Sequence, residues 1–300
     1  MTFLTYTMFL CLVSIAFSCQ ESMDLELDLL PRPLIIEYPE TRLKNMTEEL
    51  TMQCTSWRVA VESNNLNPWK TIPMECADYV EEYMSGQAYN FDLETVSKEA
   101  RVYAKSLEIG DDGMDAWIFD IDETLLSNLP YYSDHGFGLE VFDCVQFDRW
   151  VVEGEASVIE PSLKLYEEVS WLGFKIILLT GRSEDKRNVT VTNLINAGYQ
   201  NWDKLILRGD DDQGKSAVEF KSKKRKEIIE EGYRIIGNSG DQWSDLMVAG
   251  KINFTRNPSD RYIFIFDRIS DDCFPSHPPP LNLRCFSLFS DAGEESDEMD

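Results

Sequence analysis

The feature that most restricts the fold of this chain is a series of short apolar runs separated by helix-patterned stretches. Trp117 to Phe119 leads into a pair of carboxylates, Phe174 to Leu179 is almost purely apolar, and Lys204 to Leu207 and Tyr233 to Ile236 follow. Helical patterns over 161–172, 184–197 and 221–231 lie between them. A run without polar alternation suits a strand covered on both faces, as in a parallel sheet. Strands alternating with helices predict a doubly wound, Rossmann-like α/β fold. Ligands in such folds sit beyond the carboxyl ends of the strands. The polar residues at those ends are the candidates for chemistry: Asp120 and Asp122, then Thr180, and then Asp241 with Asp245 after Gly237-Asn238-Ser239-Gly240, with Lys221 opening the intervening helix.

In Trp117 to Asn128, WIFDIDETLLSN, a strand running on through both acids would place Asp120 and Asp122 on one face, whereas a bend after Asp120 would fold Asp122 back over the same site. Either way two carboxylates this close repel each other, and a divalent cation is the usual compensation. Metal-assisted phosphate chemistry is therefore the first expectation. Leu129 to Ser157, rich in Tyr, Phe, Gly and Asp, separates this strand from the helix start at Glu160-Pro161 and is where a small cap would be inserted. Upstream, 54–86 reads as short helices. Tyr89 to Ser106 is predicted to be one helix, with Val96, Ala100, Tyr103 and Ala104 at steps of three and four.

A chain of 300 residues, 43% of them apolar, can bury a substantial core. Its formal charge of -26 argues against nucleic acid as a partner, because a phosphate backbone needs Lys and Arg to displace its counterions. Phe3 to Phe17 is an apolar run of signal-peptide length, with small residues Ala16 and Ser18 before Cys19, so 1–18 is expected to be cleaved. A single anchoring helix is the alternative, for which the run is short. The mature protein is then secreted or vacuolar, with no membrane association and with its self-association left open. In that pathway the sequons at Asn45, Asn188 and Asn253 are glycosylation candidates, and Cys54 and Cys76 are the best disulfide pair. The chain has two histidines, His135 and His277, and no Cys/His cluster, which excludes a zinc site of the usual kind. His135 reads as structural or as a minor substrate contact.

WIFDIDETLLSN, LLTGRSE, FKSKKRKEIIEEGYRIIGNSGDQWSDL and the upstream CTSWRVAVESNNLNPWKTIP together resemble the secreted plant acid phosphatases and vegetative storage proteins of the haloacid dehalogenase (HAD) superfamily. The similarity spans roughly residues 35 to 247. It implies a HAD-type sheet with a small cap and an Mg2+-dependent acid phosphatase acting on small phosphomonoesters. Residue by residue, it implies that Asp120 is the nucleophile forming an aspartyl-phosphate and Asp122 is the general acid and base. Asp120, Asp241 and the backbone carbonyl of Asp122 would hold Mg2+, with Asp245 orienting a metal water or the lysine. Thr180 and the Gly181 amide would bind phosphate, and Lys221 would neutralise its charge, with Lys223 as the fallback. The alternative is a vegetative storage protein with little or no turnover. A storage relative may lose the nucleophile, and Asp120 is present here.

The expected organisation is thus a lead-in over 19–50, a HAD-like domain over 51–249 with its cap at about 129–158, and an atypical extension over 250–300. Tyr262 to Phe266 in that extension reads as a strand. The remainder, with its Ser276 to Pro280 stretch and acidic end, is expected to be poorly ordered and without a catalytic role.

Overall fold

In chain order the elements are helices α1 (Glu48–Glu62), α2 (Ala77–Ser85) and α3 (Gln87–Ser106), then strands β1 (Asp115–Phe119) and β2 (Leu126–Ser127). Next come α4 (Leu129–Asp134), α5 (Cys144–Glu153), β3 (Ser157–Val158), α6 (Glu160–Leu172), β4 (Lys175–Ser183) and α7 (Arg187–Asn196). The last are β5 (Lys204–Arg208), α8 (Ala217–Glu230), β6 (Arg234–Gly240), β7 (Ile263–Phe266) and β8 (Leu283–Leu288). This computed structural model describes residues 46–62 and 71–246, and the backbone of β7 and β8. The expected signal peptide, Asn45, Asn253, His277 and most of 250–300 lie outside the described residues.

The main sheet has the order β5-β4-β1-β6-β8-β7. β4 and β6 flank β1 in parallel, and β5 adds to β4 in parallel. This four-strand parallel block is the doubly wound core that the apolar runs predict. All five residues of β1 are buried, and alternate residues serve opposite faces. Trp117 and Phe119, with Ile176 and Leu178 of β4, pack against Ala100 and Ala104 of α3 and Leu165 and Val169 of α6. Ala116 and Ile118, with Ile177 and Leu179, pack on the other face against Phe220 and Ile228 of α8. Helices on both sides are the reason these strands carry no polar alternation. The exception, Asp115, starts β1 and is paired with Arg234 at 2.7 Å.

β8 lies antiparallel beside β6, and β7 lies antiparallel beyond it, so the far edge of β6 is covered. The strand expected over 262–266 is β7. Cys54 in α1 and Cys76, which closes a 3-10 turn, form the expected disulfide, and both are fully buried.

Several boundaries differ from the sequence expectation. α8 begins at Ala217, ahead of Lys221, because Ser216 caps it: its hydroxyl accepts the Glu219 N–H at 3.2 Å. The helix expected over 184–197 is a 3-10 turn, Glu184–Lys186, followed by α7. β4 continues to Ser183 and β6 to Gly240, so Thr180-Gly181-Arg182-Ser183 and Gly237-Asn238-Ser239-Gly240 are strand ends and not loops.

Gly237 is required by space: a β-carbon there would run into the indole of Trp117. That indole is fully buried and donates its N–H to Ser239 Oγ at 2.8 Å, so it has no room to retreat. Gly237→Ala is expected to lower unfolding free energy by about 1–3 kcal/mol through overpacking, measured by urea denaturation. An unchanged midpoint would show that the Trp117 layer is looser than described.

Candidate active site

β1 ends at Phe119, and the Asp120 amide makes one more ladder bond, to Ser239 O at 2.9 Å. The chain then turns back, so of the two geometries the bend is the one observed. Ile121 O accepts the amides of Leu125 and Leu126, both at 2.9 Å, and Glu123 adopts a left-handed φ of 54° with its N–H bonded to Leu126 O at 2.7 Å. The Glu123 carboxylate is buried inside the turn and accepts from the Asn128 N–H and the Tyr89 hydroxyl. A positive φ on a non-glycine residue is strained, and these bonds hold it in place. The turn delivers the chain into β2, which pairs with β3 and closes the base of the cap formed by α4 and α5.

Lys221 on α8 is fully buried, and its ammonium reaches Asp120 Oδ1 at 3.0 Å and Asp245 Oδ1 at 2.7 Å. Lys223, half-exposed, faces Asp212 and Glu227 instead, so Lys221 is the lysine that enters the site. Carboxylate oxygens of Asp120, Asp241 and Asp245 all lie within 4.8 Å of one another, and all three residues are buried. Asp241 Oδ2 accepts from the Gln242 side chain at 3.2 Å, and Asp245 Oδ2 accepts the Gln242 N–H at 3.0 Å. The second required glycine is here: a β-carbon on Gly240 would occupy the space of the Asp245 carboxylate. Behind this turn Arg225 donates to Ser244 O at 3.0 Å. Burial pulls its guanidinium down to about 10, opposed by Asp245, which leaves it charged at any physiological pH. Asp245, expected outside the metal's immediate ligands, therefore both holds the lysine and belongs to the acidic triad.

The Asp122 carboxylate stands apart from that triad. Arg182 grips it with two bonds, Nε to Oδ2 at 2.8 Å and Nη2 to Oδ1 at 2.7 Å, and Asn128 Nδ2 adds a third to Oδ1 at 3.2 Å. The Arg182 amide donates to the buried Thr180 hydroxyl oxygen at 3.1 Å. That bond leaves the Thr180 O–H to act as a donor.

A cavity of about 520 Å3 opens here, lined by Asp122, Gly181, Arg182 and Asp241 from the strand ends and by Phe142 and Phe147 from the cap. Phe142, Phe147, Trp150 and Tyr131 form one aromatic cluster. Burial pushes the Tyr131 phenol up to about 12, with Asp143 and Glu140 adding to the effect, so it stays neutral. His135 stacks on Tyr131, with Nδ1 2.6 Å from Tyr131 O, and serves the cap's own packing. Lys186 joins cap to core, lying 3.0 Å from Asp148 of α5 and 2.9 Å from Ser183 Oγ.

The structure thus brings Asp120, Asp241, Asp245 and Lys221 into one cluster and sets Asp122 and Gly181 at the adjoining cavity, with Thr180 buried beside Gly181. Sequence reasoning missed Arg182, Asn128 and Lys186. The only sequence signal for Arg182 was its position two residues after Thr180, at a strand end facing an acid pair. Asn188 is exposed on α7, but Thr190 of its sequon is buried and accepts from Arg182 Nη1 at 3.2 Å.

A family model described as HAD superfamily, subfamily IIIB (Acid phosphatase) matches residues 39–267, more than three quarters of the chain. The chain belongs to this acid phosphatase family. Acid phosphatase 1 of Solanum lycopersicum is 60% identical over 239 residues, covering 80% of this chain and 91% of that protein. The Stem 28 kDa glycoprotein of Glycine max is 45% identical, covering 65% of this chain and 77% of the relative. Vegetative storage protein 2 of Arabidopsis thaliana is 40% identical, covering 68% and 78%. The family match runs on past Leu246, where the motifs stop, and takes in β7. HAD acid phosphatases typically use a divalent metal, and the buried acidic triad of this acid phosphatase has the hard oxygen donors such an ion requires. Among the described residues no helix is long and apolar enough to cross a membrane.

Removing the ammonium while keeping its stem leaves buried carboxylates without their counter-charge. Lys221→Met is therefore expected to cost about 3 kcal/mol of stability in metal-free acid phosphatase at pH 7, measured by urea unfolding in EDTA. A loss below about 1 kcal/mol would show that Asp120 and Asp245 do not depend on Lys221.

Proposed function

We propose that this acid phosphatase hydrolyses small phosphomonoesters with Mg2+ through a phosphorylated Asp120. The observation that carries the reading is the separation of the two acids of WIFDIDETLLSN: Asp120 is clustered with Asp241, Asp245 and Lys221, while Asp122 faces a cavity beside them. Asp120 is the nucleophile. Its carboxylate attacks phosphorus in line with the ester bond, a new bond from carboxylate oxygen to phosphorus forms, and the ester P–O bond breaks. Asp122 gives a proton to the departing alcohol oxygen, then takes one from the water that attacks the acyl phosphate, releasing phosphate and restoring Asp120. Donors aimed at the phosphate oxygens are the Thr180 hydroxyl and the Gly181 amide, and the Lys221 ammonium offsets charge on the phosphoryl group.

Asp120, Asp241 and the backbone carbonyl of Asp122 would hold Mg2+, with Asp245 held back as the partner of Lys221. When bound, the ion draws charge from the phosphate and keeps Asp120 ionised. The cap's Phe142 and Phe147 would meet the leaving group. Secretion or vacuolar delivery, with a glycan on exposed Asn188, is in keeping with a soybean relative named as a glycoprotein.

A storage role is the second reading, favoured by the similarity to Vegetative storage protein 2. Asp120, the position a storage relative may lose, is present and weighs for catalysis. Asp120→Asn is expected to abolish phosphate release from p-nitrophenyl phosphate at acid pH without altering the circular dichroism spectrum, and EDTA is expected to silence the wild-type protein until Mg2+ is restored. Turnover by the variant would rule out Asp120 as nucleophile, and turnover in EDTA would rule out the metal. A wild-type protein inert with Mg2+ would leave storage as the function.

A further inference from the structure

Arg182 is an arginine whose side chain is 3% exposed, at the end of the strand that presents Thr180 and Gly181, and it is absent from the chemistry just described. Its bonds are specific. Nε and Nη2 form a two-pronged contact with both oxygens of Asp122, Nη1 is anchored on the buried hydroxyl of Thr190 in α7, and the backbone amide is held by Thr180. A guanidinium fork is planar, so engaging both oxygens fixes the rotation of the Asp122 carboxyl about its Cβ–Cγ bond. The two oxygens are not left equivalent. Oδ1 accepts twice, from Arg182 Nη2 and from Asn128 Nδ2, whereas Oδ2 accepts once, from Nε. A carboxylate oxygen has two lone-pair positions, so Oδ1 is filled and Oδ2 retains one.

We propose that Arg182 is the positioning residue for proton transfer, holding Asp122 so that Oδ2 is the oxygen that carries the catalytic proton. The proposal rests on Asp122 acting as the general acid. In the first half-reaction the proton on Oδ2 passes to the ester oxygen as its bond to phosphorus breaks, leaving Asp122 a carboxylate. In the second, Oδ2 takes the proton from water as the oxygen of that water bonds to phosphorus and the bond to Asp120 breaks. Thr190 belongs to the same device, since it prevents the guanidinium from rotating away. A lysine in place of Arg182 would keep the charge and lose the fork.

The test is a series of phosphomonoesters with leaving groups of rising pKa, from 2,4-dinitrophenyl through p-nitrophenyl and phenyl to glycerol 2-phosphate, measured on the full-length protein with Mg2+. A good leaving group needs little protonation and a poor one needs it fully. Arg182→Lys is therefore expected to lose about threefold in kcat/KM on the dinitrophenyl ester and about 100-fold on the alkyl ester, a steeper dependence on leaving-group pKa than wild type. Thr190→Val, which keeps the shape of α7, is expected to follow the same trend with about a fivefold loss on the alkyl ester. The inhibition constant of inorganic phosphate is expected to stay within about twofold, because a positioning residue for the proton does not bind phosphate. Equal losses across the series, or a rise in that constant matching the loss of kcat/KM, would overturn the proposal, the second outcome making Arg182 a phosphate ligand. Asp122→Asn run alongside separates the two levels. A steep profile for Asp122→Asn with flat profiles for Arg182→Lys and Thr190→Val overturns the role of Arg182 alone, and a flat profile for Asp122→Asn overturns the general-acid reading beneath it.

Discussion

The buried ammonium of Lys221 between Asp120 and Asp245 is the interaction on which the rest of the site depends. Taking a lysine fully out of water is costly, and so is packing three carboxylates within 4.8 Å of one another. The lysine and the carboxylates each offset part of the other's cost, and Arg225 behind the turn adds to the charge facing Asp245. The sheet supplies the rigidity to hold it. Asp120 follows directly from a strand buried on both faces, Lys221 projects from the helix on one face of that strand, and the Asp245 turn is anchored by Asn238, Gln242 and Arg225. Gly237 and Gly240 belong to the same construction, one admitting Trp117 under the sheet and the other admitting the Asp245 carboxylate above it.

Much of this was legible in the sequence because it follows from periodicity and strand ends. Four apolar runs marked the four parallel strands, and the polar residues just beyond them marked Asp120, Asp122, Thr180 and Asp241. Other features depend on long-range placement that no local pattern encodes. The choice between a strand continuing through Asp122 and a bend after Asp120 is decided by Glu123, whose carboxylate is buried against Asn128 and Tyr89. Tyr89 lies on a helix far upstream, so the sequence near Asp122 could not settle it. Arg182 was not marked for a similar reason: its side-chain partners are Asp122, in the turn after β1, and Thr190, in α7. α8 starts four residues ahead of Lys221 because the Ser216 hydroxyl accepts the Glu219 N–H and sets the first turn.

The two acids of WIFDIDETLLSN are made unequal by their surroundings more than by their spacing. Asp120 is enclosed with a lysine and two further acids, while Asp122 is turned outward into the cavity and gripped by an arginine. The same turn launches the cap, which returns through β3 and is tied to the core by Lys186 and Asp148. The acid pair and the cap are thereby linked by one short stretch of chain.

The central claim, that Asp120 becomes phosphorylated, is tested most directly by trapping. The enzyme would be mixed with a phosphomonoester and Mg2+, quenched in acid within milliseconds, reduced with borohydride and mapped by peptide mass spectrometry. Homoserine, the reduction product of an aspartyl-phosphate, is expected at position 120, and none when substrate is omitted. Steady turnover with Asp120 recovered unmodified, or with label on another residue, would contradict it.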